Sequence, residues 1–189
     1  MPRTVKLLTP ADWEQAALKA IAAGGLEAVA VEPLARKLGV TKGSFYSHFR
    51  NRDELLTAAL RRWEHAQVNG FLADDDPADD PTQRLQRLLT KAIGEARSGT
   101  VLARLLLESK DRRVRAAIKR VTEVRLARLE AAFAEIGNAE PLAAHRAIIS
   151  YAIYIGLLQL ARELPERLAD ERAFSDELVR ALGLQVTTA

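Results

Sequence analysis

The run Gly39-Val40-Thr41-Lys42-Gly43-Ser44-Phe45-Tyr46-Ser47-His48-Phe49-Arg50-Asn51-Arg52 gathers rings, hydroxyls, a histidine and cations in a chain that is only 5% aromatic. Two chemistries use such a mixture. One is nucleophilic catalysis: Ser44 and His48 stand four apart, so a Ser–His hydrogen bond is within reach on a helix. That pair needs a carboxylate to orient the imidazole, and no acid lies between Glu32 and Asp53. The G-x-S-x-G elbow is missing too. The other chemistry is recognition of a polyanion, and it uses every residue type present. Cations supply charge, hydroxyls and imidazole donate to phosphate oxygens, and buried rings hold the element in place. No enzymatic activity or catalytic residue is expected.

Charge points the same way. The net charge is only +3. Residues 1–65 carry ten Lys and Arg against seven Asp and Glu, and residues 66–189 carry eighteen of each. Arg36 to Arg52 holds five cations and no acid. A basic patch confined to one end suits a polyanionic partner that touches that end.

The elements that position this segment read as helices throughout, with no convincing period-two alternation. Thr9-Pro10-Ala11-Asp12 opens the first helix, whose apolar face is Trp13, Ala16, Ala17, Ala20 and Ile21; Gly24-Gly25 stops it. A short helix spans about 32–38 and ends at Gly39. Thr41 is expected to cap a third, running to about Phe49. Asn51-Arg52-Asp53-Glu54 has the form of a capping box and opens a fourth, about 53–71. The aspartate-rich stretch 73–81 then breaks the pattern. It lacks the spacing, glycine and distal glutamate of a calcium loop, so a solvated connector is the better reading and no metal site is expected. Further helices are predicted at about 81–97, 100–109, 111–136, 141–163 and 173–182.

On a helical wheel Phe45 and Phe49 share one face and should bury, while Gly43 and Ser47 point the other way, with Ser44 and Tyr46 on the flanks. Two short helices joined by Gly39-Val40-Thr41, behind a supporting helix, make a helix-turn-helix. Its second helix enters a major groove, and small central residues let the backbone approach the bases.

The run from Gly39 to Phe49, followed by Arg50-Asn51-Arg52-Asp53-Glu54-Leu55-Leu56 and preceded by Leu34-Ala35-Arg36-Lys37-Leu38, resembles the signature of the tetracycline-repressor (TetR) family. The resemblance covers roughly residues 10–60. It implies an all-α chain with a three-helix DNA-binding module, here residues 1–52, and a helical ligand-binding and dimerisation module, here residues 53–189. It also implies DNA contacts from Thr41, Lys42, Gly43, Ser44, Tyr46, Ser47, His48 and Arg52. Two departures stand out. Val31 occupies a position where the family often has a capping Ser or Thr, and Glu32-Pro33 replaces a basic or polar pair. Glutamate there repels phosphate, although it can accept a hydrogen bond from cytosine N4.

The segment 141–163 is apolar nearly all round from Ile148 to Ala161, which requires burial on every side. Its outer side is therefore expected to meet a second copy of the chain. Ile149, Ile153, Gly156, Leu157 and Leu160, with Phe174 and Leu178, are the expected homodimer contacts. Leu89, Ile93, Leu105, Leu106, Tyr151 and Tyr154 are candidate walls of a pocket for a hydrophobic small molecule. The expected partners are thus a palindromic operator in double-stranded DNA, a second copy and an unidentified effector, with no cofactor. The apolar run Ala147–Ala161 is shorter than the ~20 residues a membrane span needs, and no signal peptide or cysteine is present. A cytoplasmic protein without membrane contact is expected. With the resemblance, the expected function is a ligand-released repressor; the alternative is a helical adaptor that binds proteins and no specific DNA.

Overall fold

The computed structural model describes residues 8–72, 80–97, 101–108, 110–168 and 170–184. They form nine α-helices: α1 (Pro10–Gly24), α2 (Val31–Leu38), α3 (Lys42–Tyr46), α4 (Arg52–Leu72), α5 (Pro81–Arg97), α6 (Val101–Leu107), α7 (Arg112–Glu135), α8 (Leu142–Glu163) and α9 (Glu171–Ala181). No strand occurs among the described residues, and the fold is all-α. Most of the aspartate-rich connector, 73–79, lies outside the described residues.

Local chemistry sets the helix ends. The Asp12 carboxylate accepts both the Thr9 N–H and the Thr9 hydroxyl, at 2.8 and 2.7 Å, and closes the start of α1. Asn51 Oδ1 accepts the Glu54 N–H at 2.9 Å, but Glu54 returns its bond to the Arg50 N–H, one residue earlier than a standard capping box. Asp80 accepts the Gln83 N–H and places Pro81 at the first position of α5. Gly39 ends α2 in the left-handed region, φ 73° and ψ 29°, and the Val40 N–H reaches back to the Ala35 carbonyl at 3.0 Å. Only glycine takes that conformation cheaply, so the turn between α2 and α3 depends on it.

Three local expectations need correction. α3 stops at Tyr46 and not near Phe49: the His48 N–H bonds the Phe45 carbonyl three residues back at 2.9 Å, a tightened closing turn, and the Ser47 hydroxyl donates to the Ser44 carbonyl. Thr41 stands at the N-cap of α3 in extended conformation, but its side chain makes no capping bond. The N-cap of α2 is Ala30, not Val31, and it likewise offers no side-chain cap.

The chain divides into two compact units. The first comprises residues 1–66 and 104–118. Its core includes Trp13, Ile21, Leu34, Phe45, Leu55, Leu105 and Val114, each at most 2% exposed. The second comprises residues 67–103 and 119–189, in which α5 packs on α8 and α9. Its interior holds Leu85, Leu102, Val121, Phe133 and Leu158. α4 starts in the first unit and ends in the second, so the division drawn from the sequence at 52/53 falls in the first turn of one continuous helix.

α8 keeps Ala143, Ala147, Ser150, Tyr154, Leu157 and Leu158 buried. At 22 residues it is long and apolar enough to cross a membrane by length and composition. This corrects the length argument above, which stopped at Ala147 and missed the flanking turn Leu142–Arg146. The opposite side is open: Ile148 is 56% exposed and Ile149 49%.

Asp111 caps α7 and holds Arg113. The Arg113 N–H donates to Oδ1 at 2.8 Å, and Nη2 to Oδ2 at 2.7 Å, while Nη1 reaches Asp53 Oδ1 at 2.9 Å. The guanidinium hydrogen bond holds the Asp111 carboxyl down at about 2. A carboxylate depressed in the folded state stabilises it above the unfolded pKa, about 3.9, and loses that contribution as pH falls through the folded value. Asp111→Asn keeps a capping side chain and removes the charge. The variant should be less stable than the parent by about 1 kcal/mol at neutral pH. In urea titrations the gap should close between about pH 4 and pH 2.

Candidate nucleic-acid interface

The surface is built on one ring cluster. Phe45 is completely buried; its centroid lies 5.3 Å from that of Trp13, edge to face, and 5.7 Å from that of Phe49. Phe49 is 5% exposed, so both phenylalanines anchor the segment as their spacing predicts. Tyr46 stands on the other side, 60% exposed, with its ring edge-on to Phe45 at 5.1 Å. The phenol is thus held by its body and free at its tip, the arrangement that suits an amphipathic side chain meeting a polar partner.

Around Tyr46 the described surface is small and polar. Thr41, Lys42, Gly43 and Ser47 are exposed, and Ser44 and His48 partly so. The Ser47 hydroxyl proton is committed to the Ser44 carbonyl at 2.8 Å, leaving its oxygen as an acceptor. A Cβ on Gly43 would meet nothing closer than Thr41 Oγ1 at 3.5 Å, so the open face of α3 has backbone at its centre. Arg36 and Lys37 are exposed at the end of α2.

Three cations behave differently from a free rim. Arg52 is turned inward: Nε donates to the Val29 carbonyl and Nη2 to the Leu26 carbonyl, both at 2.7 Å. Leu26 opens the short 3-10 turn after α1 and Val29 caps its end, so the guanidinium fork spans that turn. Arg52 therefore ties the start of α4 to the supporting helix, and its fork is taken up by the protein's own backbone. Arg50, 87% exposed, pairs through Nε with Glu54 at 3.1 Å. The third is Lys42, whose ammonium meets the Glu32 carboxylate across the turn. That pairing draws the Glu32 carboxyl below its usual range, through the Lys42 hydrogen bond first and its charge second. Sequence reasoning flagged Glu32 as a departure but not its partner; ten residues separate the two, and only the turn at Gly39 brings them together.

The other expected site residues divide between the units. Leu105 and Leu106 belong to the first unit, and Leu89, Ile93, Tyr151 and Tyr154 to the second. In the second unit the Tyr151 hydroxyl bonds Thr122 Oγ1 at 2.8 Å, and Arg125 lies 5.1 Å over the Tyr154 ring while Nη2 donates to Gln67 at 2.6 Å. Arg125 and Tyr154 are 4% and 6% exposed. Burial pushes the Tyr154 phenol up, partly offset by the Arg125 charge. An open groove of about 530 Å³ lies on α5, lined by Gln83, Gln86, Arg87, Thr90 and Lys91; it includes neither Leu89 nor Ile93. Of the expected dimer contacts, Ile149 and Leu160 are exposed, as is Gly156, and Ile153 and Phe174 are half-buried. Leu157 and Leu178 are buried within the second unit. No cluster of three or more metal-ligating side chains occurs among the described residues.

A buried ring cluster that presents a short, small-residue helix behind a glycine turn, with cations beside it, defines a helix-turn-helix DNA-binding module. Residues 15–59 match the model of bacterial regulatory proteins, tetR family, so the likeness to that family lies in the helix-turn-helix module. No curated protein sequence matches it. The fold is shared with a transcriptional regulator from Rhodococcus sp. Rha1 (23% identity, 96% of this chain and 100% of that one, TM-score 0.71). It is shared as well with the reduced form of Escherichia coli NemR (19%, 95% and 98%, TM-score 0.76). A third is Bacillus subtilis FadR in complex with stearoyl-CoA (16%, 92% and 97%, TM-score 0.67). At these identities the likeness is one of fold.

Proposed function

We propose that this protein is a homodimeric, sequence-specific repressor of transcription that acts on a palindromic operator in the cytoplasm and is released by a hydrophobic small molecule. The observation that carries this reading is the exposed polar face of α3 around Tyr46, seated on the Trp13–Phe45–Phe49 cluster. Thr41, Lys42, Gly43, Ser44, Tyr46, Ser47 and His48 are the proposed DNA contacts, and Arg52 acts by positioning α4. Ile149, Ile153, Gly156 and Leu160 fall at spacings of four, three and four, one stripe of α8, and they supply the proposed contact with a second copy. The effector reading rests on the second unit, where the buried Leu89 and Ile93 are the proposed apolar walls and Tyr151 and Tyr154 the proposed phenol contacts. FadR of Bacillus subtilis, which shares the fold, was crystallised with stearoyl-CoA. A ligand shifts the operator equilibrium only by its differential affinity for the two forms of the dimer.

Tyr46→Phe tests the DNA reading. The hydroxyl is exposed, so thermal stability should be unchanged, while loss of a hydrogen bond to phosphate should weaken duplex binding about tenfold. Equal affinity of variant and parent for labelled duplex would favour the helical adaptor instead.

A further inference from the structure

Glu32 is the sole acid between Glu27 and Asp53, and it lies within the basic segment that begins at Arg36 only because α2 folds back across the Gly39 turn. It sits in the first turn of α2; Lys42 is the first residue of α3. Their side chains, 61% and 55% exposed, meet in solvent, and Gly43 and Ser47 are exposed as well. α3 carries no other cation. Its central residues are too small to make bidentate base contacts, so Lys42 is the one strong donor that this helix brings to DNA.

A free lysine at that place would bind any phosphate. Such contacts are independent of sequence and supply most non-specific affinity. With Glu32 as its partner, Lys42 has a competing acceptor, and the carboxylate itself faces the phosphate backbone with like charge. Non-operator DNA must break the pair for a contact that any cation in solution can replace. A base edge that accepts from the ammonium, such as guanine O6 and N7, offers a directed bond in exchange.

We propose that Glu32 is a specificity-determining residue of this DNA-binding surface: by holding the Lys42 ammonium it suppresses binding to non-operator DNA more than binding to the operator. This rests on the DNA-binding reading above. The mechanism is discrimination by a built-in repulsive element, which raises the ratio of affinities at some cost to each.

The probes are a random-sequence duplex pool and a duplex selected from that pool by the parent protein, each titrated over a range of salt. Both side chains are exposed, so Glu32→Gln should leave the thermal melt unchanged. It should tighten binding to random duplex about three- to tenfold and steepen its salt dependence by about one unit of slope per module. Affinity for the selected duplex should rise less, so the specificity ratio falls. In a Lys42→Met background the same substitution should act at no more than half that strength, since the partner it releases is gone. Three results would overturn the inference: unchanged random-duplex affinity, an equal effect with and without Lys42, or a loss confined to the selected duplex, which would make Glu32 a reader of cytosine. If the parent binds no duplex even at low salt, the DNA-binding reading fails with it. If the parent binds and Glu32→Gln behaves identically, only this inference fails.

Discussion

Phe45→Ala should lower the stability of the first unit by about 3–5 kcal/mol, the cost of deleting a fully buried ring and leaving its cavity. Phe45 is 0% exposed and is the ring on which Trp13, Tyr46 and Phe49 all converge. Edge-to-face and stacked contacts of this kind add about 0.5–1.5 kcal/mol each to the area they bury. Small domains have only about 5–15 kcal/mol in total, so the variant should have lost much of its margin at 25 °C and all duplex binding at physiological temperature. Urea unfolding followed through the fluorescence of Trp13 and Trp63, both buried in the first unit, checks it. Tyr46→Ala is the matched comparison, since it removes a ring from the surface of the same cluster and should cost far less. Near-equal losses from the two would mean that the division of the rings into anchor and contact is wrong.

Ile149→Asp with Leu160→Asp should turn a dimer into a monomer without unfolding it. Both side chains are more than 40% exposed on one stripe of α8, and Gly156 between them has nothing within 4 Å of where its Cβ would stand. An apolar stripe with a glycine at its centre permits close approach of a second helix. The expectation is half the parent's mass in sedimentation equilibrium, an unchanged circular dichroism melt, and operator affinity lower by at least about 100-fold. That last loss follows because the second half-site is no longer bound at high effective concentration. Leu157 and Leu178 are unsuitable for this test because they are buried in the second unit, where aspartate would unfold the protein. A double variant that sediments with the parent would remove α8 from the interface.

The contrast between these two sets of residues shows which features sequence could reveal. Phe45 and Phe49 are legible because a four-residue spacing of rings fixes which face of a short helix turns inward. Gly39 is legible because a left-handed helix end favours glycine, and Thr9 with Asp12 because the cap is local. Arg52 was not. Its acceptors, the carbonyls of Leu26 and Val29, lie 26 and 23 residues away in a 3-10 turn that apolar periodicity does not disclose. In the second unit, an all-round apolar helix announces burial but not which side meets which neighbour; Leu157 and Ile149 look alike in sequence, yet the first is buried and the second exposed. Leu105 and Leu106 belong to the first unit, and Leu89 and Ile93 to the second, a division that apolar residue type does not disclose. The Glu32–Lys42 pair, too, is a product of the turn and not of spacing along either helix.

The most direct test of a dimeric, sequence-specific regulator is selection of bound duplexes from a random pool at two salt concentrations. Enrichment of a palindrome at both is expected, with half-site centres about 34–36 Å apart or a larger whole number of DNA turns, matching paired α3 helices. Selection that yields no common sequence, with binding that vanishes steeply as salt rises, would reduce the α3 surface to a non-specific basic face and contradict the proposed function.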